Sequence, residues 1–474
     1  MQTMNNELWR LGAVQLVAGY RSGAFTPVDA LEACLERIAH CQPWINAMVL
    51  VDAHGARAAA QASSARWKAS APLGPLDGVP VSIKDNMHVA GLPTSWGSRL
   101  LQGFVAVGDE LPVARLRSAG AVLIGKTNLP EFAMQGYTWN ALYGASRNPW
   151  NTAMTPGGSS GGAAAAVAAG CGPLALATDG GGWIRRPASH CGLVGFKPSA
   201  GLVPRSDGLP EIFLDYEVAG GIGRSVADVA AFTSVLAGCD LTAPVLHRAR
   251  ILFVPRFGDH PVDAGIAAQL VQAADRFAAL GHDVVQSESF EFAEEINQRW
   301  SVLSTAGLAW MMERVASYPE FAAACRSGTE PELLLGNAAH EHLLAGRRQA
   351  SSALFETLAA VHTLKLRLSG IFSQYDAILT PATAALPWPA EQTHPAAIAG
   401  SAVGPRGHAI FTAFANAAGL PAIALPTGLV EGMPTGLQLI SMQGRDAGLL
   451  ALAQQYEHAH PWQERWPDAG YVPV

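Results

Sequence analysis

The segment TDGGGWIRRPASHCGLVGFKPS occupies residues 178–199 and places three consecutive glycines between an acidic residue and a pair of arginines. Consecutive glycines expose consecutive backbone amides, and a turn of this kind suits an oxyanion. Asp179 and Arg185 flank the turn and are expected to form a structural ion pair, because buried charges are normally paired. His190 is expected to be a hydrogen-bonded core residue. The segment therefore predicts a tightly folded turn inside the protein.

A second glycine-rich segment, GGSSGG at 157–162, precedes the alanine-rich run 163–170, which predicts a tightly packed buried helix. The segment lacks the Gly-Lys-Ser/Thr ending of a P-loop and the GxGxxG spacing, so it does not predict a phosphate site. Small residues here would let backbone amides face a ligand, or let a serine reach a buried lysine. So many glycines in a predicted core indicate close backbone approach or positive φ angles.

Lys84 follows the apolar run 79–83, which predicts a buried strand, and precedes Asp85 and Asn86. A lone lysine usually lies at the protein surface. A buried lysine would instead have a lowered pKa and could act as a base. From the residues alone, both alternatives stay open.

Helical and strand-like patterns alternate along the chain, and this alternation predicts an α/β fold. The first helix is expected at 26–40, opened by Thr26 as N-cap with Pro27 in the first turn. Further predicted helices lie at 112–119, 225–236, 263–280 and 447–458. Further predicted strands lie at 121–125, 251–254, 282–285, 377–380, 422–425 and 437–440.

The composition fits one large globular enzyme body, since 49% of the 474 residues are hydrophobic and only 15% are charged. No internal repeat and no clear linker interrupts the sequence. We therefore expect a single domain over 1–474, with a core motif at 84–206 and a more variable, mostly helical part at 290–370.

Charge and cysteine usage exclude several classes of function. The net charge is −7 and no block of Lys and Arg is present, so neither nucleic acid nor a membrane is an expected partner. The six cysteines form no CxxC pair and no zinc-type grouping, which favours free thiols in a cytoplasmic protein without a metal. We expect no cofactor. The N-terminus shows no signal peptide pattern, and no apolar run is long enough to span a bilayer.

Three motifs taken together resemble the amidase signature family. They are Lys84-Asp85-Asn86, GGSSGG at 157–162 and the segment 178–199. Supporting matches follow in the expected order at 125–134, 147–150, 223–228, 379–382, 419–422 and 436–440. The similarity covers nearly the whole chain. It implies the amidase-signature fold, an α/β architecture with a mixed, mostly parallel central sheet flanked by helices on both faces.

The resemblance also implies a Ser–Ser–Lys mechanism. In it, Lys84 acts through Ser159, a serine held by a cis peptide, on a second serine that attacks the amide carbonyl. The second serine is expected 24 positions after the first, and that position is Trp183. The local pattern agrees, because the family has TGGSIR where this chain has GGGWIR at 180–185.

The surrounding site residues are also carried over from the resemblance. The amides of Gly180, Gly181 and Gly182 would form the oxyanion hole, although Gly180 departs from the usual residue. Gln135 lies in the loop that would face the substrate.

Indole has no nucleophilic oxygen and cannot form an acyl-enzyme. Ordinary serine amidase turnover is therefore expected to be absent or very weak. Ser159 itself is the first candidate for a substitute nucleophile. Other candidates are Ser160, Thr178, Ser189 and Cys191, and Cys191 is more readily explained as a small packed residue.

Several functions stay open at this point. The chain is an enzyme acting on a small-molecule amide or related carbonyl compound, a repurposed non-hydrolytic enzyme, or a non-catalytic protein that binds a ligand or partner. Trp183 could also be an introduced change or a sequence error. A role within a tRNA-dependent amidotransferase is disfavoured by the missing nucleophile. A small-molecule substrate or ligand is the expected partner, and a homodimer is compatible with the sequence.

Overall fold

A computed structural model describes residues 5–242, 248–287, 289–326 and 330–467 of the chain. Eleven strands form one sheet, and two pairs of short strands lie outside it. The strands are β1 Met48–Val51, β2 Pro80–Lys84, β3 Val122–Thr127, β4 Trp139–Asn140, β5 Gly144–Ala145, β6 Leu174–Asp179, β7 Val194–Lys197, β8 Val218–Gly223, β9 Arg250–Phe253, β10 Asp283–Gln286, β11 Ala377–Pro381, β12 Ala397–Ile398, β13 Ser401–Ala402, β14 Ala422–Val430 and β15 Met433–Ile440.

The large sheet is mixed and has the strand order β1-β3-β2-β6-β8-β7-β14-β15-β11-β9-β10. Parallel pairing lies towards its two ends, where β2 pairs with β3 and β6, and β9 pairs with β10 and β11. The edge strand β1 pairs antiparallel with β3. Antiparallel pairing joins β6, β8, β7, β14, β15 and β11 through the middle. The predicted mixed sheet is confirmed.

Fourteen α-helices surround the sheet in the described ranges. They are α1 Ala13–Ser22, α2 Pro27–Ile45, α3 Ala53–Lys68, α4 Leu111–Ser118, α5 Gly161–Ala168, α6 Arg185–Cys191, α7 Val226–Ala237, α8 Ala264–Ala279, α9 Glu294–Met312, α10 Ala322–Arg326, α11 Asn337–Arg347, α12 Ser351–Phe372, α13 Ala413–Ala417 and α14 Asp446–Ala459. The helical pattern predicted for 290–370 is confirmed as α9 to α12, with residues 327–329 outside the described ranges.

The N-terminal cap predicted for the first long helix is present. Thr26 accepts a hydrogen bond from the backbone amide of Asp29, and the Asp29 carboxylate accepts one from the amide of Thr26. The helix continues to Ile45, beyond the predicted end at residue 40, and stops where Asn46 adopts a left-handed conformation. The sequence therefore located the start better than the end, because a cap is a local signal whereas this extension buries Cys41 and Ile45 in the core.

Strand β6 shows how both faces of the sheet are covered. Its Leu174 and Leu176 pack in a cluster with residues of α4 and α7, whereas Ala175 and Ala177 pack with α5 and α6. Successive side chains of a strand point to opposite faces, so helices lie on both sides. The small alanines on the α5 side let that helix approach the sheet closely, which brings the loop before α5 next to the ends of β2 and β6.

No helix within the described ranges is long and apolar enough to cross a membrane. The assignment of 1–474 to a single domain stays a prediction of the sequence.

Candidate functional site

Lys84, the last residue of β2, is fully buried. Its Nζ donates hydrogen bonds to Ser159 Oγ at 2.7 Å and to Thr178 Oγ1 at 2.9 Å. Thr178 Oγ1 also accepts a hydrogen bond from the side-chain amide of Asn86 at 3.0 Å. Of the two alternatives that the sequence left open, the structure thus shows the buried amine.

Burial lowers the pKa of Lys84 to about 7. The negative charges of Glu217 and Asp179 act in the opposite direction, and the charge of Arg205 adds to the lowering. An amine with a pKa near neutrality can accept a proton from a hydrogen-bonded hydroxyl. The Lys84–Ser159 pair is therefore equipped for proton transfer.

Ser159 lies in the loop before α5, and the peptide bond between Gly158 and Ser159 is cis. A Cβ at Gly158 would approach the backbone of Tyr137 to 2.6 Å, so the loop needs a residue without a side chain there. The backbone amide of the next residue, Ser160, donates a hydrogen bond to the backbone carbonyl of Trp183 at 3.2 Å. The serine loop and the glycine turn are thus joined through their backbones.

The Asp179 carboxylate organises the glycine turn. It accepts hydrogen bonds from the amides of Gly181 at 3.2 Å, Gly182 at 2.6 Å and Ile184 at 3.0 Å. The Arg185 guanidinium also binds Asp179, with an Nη2–Oδ1 distance of 2.8 Å, which confirms the predicted ion pair. The amides of Gly181 and Gly182 are therefore already engaged, and a bound oxyanion would have to share them with Asp179.

The indole of Trp183 is buried beside this turn, with 3% of the residue exposed. It packs edge-to-face on Phe213, with ring centroids 5.0 Å apart. A Cβ at Gly180 would lie 2.7 Å from the indole, closer than two carbon atoms can pack. Gly180 therefore provides space for the indole ring, and its carbonyl oxygen accepts a hydrogen bond from Trp300 Nε1 at 2.9 Å.

A cavity of about 680 Å³ opens next to Trp183. Its wall combines the loop 134–136, residues of α9 and the loop 402–410, together with Trp183, Arg186 and Phe213. Gln135 is one of the lining residues. The described residues that form the wall do not include Lys84, Ser159 or the three glycines of the turn. The cavity wall thus includes the indole of Trp183 but neither residue of the lysine–serine pair.

The remaining candidate residues are buried and packed. Cys191 is 1% exposed, and burial raises the pKa of its thiol, so it is a packed residue. His190 Nε2 lies 3.2 Å from the carbonyl oxygen of Ala385, and burial lowers the pKa of its imidazole to about 3. Ser189 is also fully buried. Within the described part of the chain, no group of three or more His, Cys, Asp and Glu side chains could hold a metal ion.

Comparison with known proteins identifies the family. The sequence model of the Amidase family matches residues 29–450. The chain belongs to the amidase signature family. Its fold agrees, because solved structures of this family superpose on nearly the whole chain. A bacterial aryl acylamidase of the family covers 98% of this chain and 99% of its own, with a TM-score of 0.86 and 27% sequence identity.

Other relatives of this amidase signature protein differ in the activities that their names state. The acylamidase of Rhodococcus erythropolis is 32% identical over 98% of both chains. One subunit of the glutamyl-tRNA(Gln) amidotransferase of Symbiobacterium thermophilum is 33% identical over 96% of this chain and 98% of the relative. A 6-aminohexanoate cyclic dimer hydrolase, solved with its substrate, has a TM-score of 0.86 at 29% identity and covers 98% of this chain and 99% of its own.

Sequence reasoning missed much of the wall of the cavity. Trp300, Phe213 and His408 come from segments far apart in the sequence, and no motif marked them. The sequence analysis also did not predict that the Asp179 carboxylate would accept hydrogen bonds from the amides of Gly181 and Gly182. A signal for that was present, because an Asp two and three residues before Gly181 and Gly182 is typical of a side-chain-capped turn.

The buried Lys84 should make the free energy of unfolding depend on pH. Its folded pKa is about 7 and its ordinary value is 10.5, so between these values the unfolded chain binds more protons. Stability therefore rises with pH in this interval, and the full penalty of burying the charge is present below it. In K84M this contribution is absent, and the slope should fall by up to about 1.4 kcal/mol per pH unit.

Urea unfolding at several pH values between about 7 and 9 measures this slope. The variant K197M is the matched comparison, because Lys197 is also fully buried and burial lowers its pKa to about 7. K197M should lower the slope of unfolding free energy against pH by a similar amount, and the double variant K84M/K197M should lower it by the sum of the two. An unchanged slope in K84M would mean that the buried amine does not release its proton in this range.

Proposed function

We propose that this chain binds a small-molecule amide or related carbonyl compound in the cavity beside Trp183, and that ordinary serine hydrolysis is absent or very weak. One observation carries the proposal. Trp183 lines the cavity, whereas Lys84 and Ser159 are fully buried and do not line it. A ligand in the cavity therefore meets the indole ring instead of the hydroxyl that Lys84 could activate.

The family resemblance supports the same proposal, since it assigns position 183 to the attacking serine. An indole ring cannot attack a carbonyl, and loss of a serine nucleophile costs on the order of 10⁶ in rate. The ring is also far larger than a hydroxymethyl group, so it takes the volume in which a scissile carbonyl would dock. Gln135 would contact the ligand from the opposite loop.

The class of ligand is supported by the names of the relatives. An acylamidase, an aryl acylamidase and a cyclic dimer hydrolase are among the proteins that resemble the chain over nearly its whole length. A compound with an amide or similar carbonyl group is therefore the ligand that we propose. A cytoplasmic location and a homodimer stay predictions of the sequence.

A non-hydrolytic enzyme is the second candidate function. The observation that favours it is the 2.7 Å hydrogen bond between Lys84 and Ser159, together with the pKa of about 7 for the amine. These groups keep the ability to move a proton. For them to act on a ligand in the cavity, the side chains around Ser159 would have to move so that its hydroxyl reaches the ligand, because Ser159 does not line the cavity.

The test is to incubate the purified protein with aryl, aliphatic and amino-acid amides and to measure both binding and turnover. We expect a rise in melting temperature with some of these compounds, no released amine or ammonia, and no added mass on the intact protein. Turnover at a rate typical of amidases, with a covalent adduct near residue 183, would contradict the proposal.

Two variants separate the second candidate from simple binding. If Lys84 and Ser159 catalyse a non-hydrolytic reaction, K84A and S159A should abolish product formation while the ligand still binds. If the chain only binds, no product forms with the parent protein, and both variants should retain the ligand-induced stabilisation, because neither residue lines the cavity.

A further inference from the structure

Two arginines line the same cavity without a carboxylate partner. Arg186 lies in α6 with 2% of the residue exposed, and Arg406 lies half-buried in the loop 402–410. No ion pair joins either guanidinium to an acidic side chain among the described residues. The atoms Arg186 Nε, Arg406 Nε and Arg406 Nη2 are buried and lack a hydrogen-bond acceptor within the same described part of the chain.

This arrangement differs from the other buried arginines near the site. Arg185 binds the Asp179 carboxylate at 2.8 Å, and Arg205 binds Glu110 at 3.0 Å. Buried charges are normally paired, since an isolated buried ion loses its hydration without compensation. Arg185 and Arg205 thus each have a carboxylate partner, whereas the two arginines in the cavity wall have none among the described residues.

The two charges also act on each other. Burial, and to a smaller degree the charge of Arg406, lower the pKa of Arg186 to about 9. Burial lowers the pKa of Arg406 to about 10. His408 adds no negative charge, and its Nδ1 accepts a hydrogen bond from Arg186 Nη1 at 3.0 Å. Because guanidinium groups keep their proton in proteins, an anion would relieve this repulsion.

The cavity has one acidic lining residue, Glu294, among those described, and that carboxylate lies 3.1 Å from His260 Nε2. The cavity wall also contains a cluster of aromatic side chains. Trp183 contacts Phe213 edge-to-face, and Phe213 stacks on Trp300 with ring centroids 6.0 Å apart. Two arginines and an aromatic cluster in the wall of one cavity fit a ligand that carries an anionic group on an apolar body.

We propose that Arg186 and Arg406 bind the carboxylate of a small organic acid whose apolar part packs on Trp183, Phe213 and Trp300. Guanidinium groups match the geometry of a carboxylate, and their charged hydrogen bonds are stronger than neutral ones. The inference rests on the proposed function, because it uses the same cavity. It adds that the ligand carries a carboxylate group separate from its amide or carbonyl group.

The test compares matched acids and amides by calorimetry with the full-length protein. The probes are 3-phenylpropionate, 4-phenylbutyrate and their primary amides, with phenyl phosphate as a phosphate arm. We expect each acid to bind at least about tenfold more tightly than its amide, as a charged hydrogen-bonded pair implies. The preference should fall by about tenfold or more in R406Q, which leaves the half-buried loop otherwise unchanged.

Three further variants make the result specific. R186Q should also lose the preference, but it alters a fully buried residue, so R406Q decides the outcome if R186Q fails to fold. R347Q removes an arginine paired with Glu332 at the surface and should keep the preference. E294Q should keep or strengthen it.

Equal binding of acids and amides, or an acid preference that survives in R406Q, would overturn the inference. Tenfold tighter binding of phenyl phosphate than of either acid would overturn the carboxylate assignment. These outcomes are independent of turnover. Family-typical hydrolysis would contradict the proposed function without changing the acid preference, and equal affinities would contradict the inference while leaving the absence of hydrolysis intact.

Discussion

Replacing Trp183 with serine should raise the hydrolysis of small aryl amides by about 10³-fold or more over the parent protein. The expected gain follows from the surviving Lys84–Ser159 hydrogen bond of 2.7 Å and from the backbone hydrogen bond between Ser160 and Trp183. A serine at 183 would have its backbone next to the loop that holds Ser159. The substitution would also free the volume that the indole ring occupies. Amine release from a panel of aryl amides measures the effect.

The matched control is W183A, which opens the same space without adding a hydroxyl. Both substitutions remove a buried aromatic side chain, so each should cost about 3–5 kcal/mol of stability. Assays therefore need to be run below the melting temperature of the weaker variant. In W183S/K84M the gain should disappear. Equal activity of W183S and W183A would show that position 183 does not supply the nucleophile.

Replacing Asp179 with asparagine should lower the free energy of unfolding by about 3–5 kcal/mol, because it leaves the buried Arg185 without its counter-ion. Both side chains are fully buried. Burial alone would raise the pKa of Asp179, but the charge and hydrogen bonds of Arg185 outweigh this and hold the pKa far below its ordinary value. Urea denaturation at neutral pH measures the loss.

The surface pair of Arg57 and Glu32 provides the control. The distance between Arg57 Nε and Glu32 Oε1 is 2.6 Å, but the two side chains are 49% and 38% exposed. E32Q should therefore cost less than about 1 kcal/mol, as is usual for exposed pairs. A loss in D179N as small as that in E32Q would mean that the glycine turn does not depend on the buried charge pair.

The fold could be predicted from the sequence because its signals are local and numerous. Strand β2 and helix α7 were predicted within one or two residues from apolar runs and a capping pattern. The end of α2 was predicted less accurately, because packing of Cys41 and Ile45 in the core extends this helix beyond residue 40. The family resemblance supplied the overall architecture.

The site could be predicted only in part. The resemblance pointed to Lys84 and Ser159, and the structure brings these residues into contact. The wall of the cavity could not be predicted, because Arg186, Trp300 and Arg406 are brought together only by tertiary packing. Nor could the sequence predict that Lys84 would be absent from the cavity wall, because tertiary packing decides which side chains line a cavity.

The tight fit between Gly180 and Trp183 restricts which residues these two positions can hold together. With the indole in place, even a methyl group at position 180 would come within 2.7 Å of the ring. Tryptophan at 183 is therefore compatible only with a residue at 180 that lacks a side chain. The two positions are therefore sterically coupled, and a side chain at position 180 would require a smaller residue at 183 beforehand or at the same time.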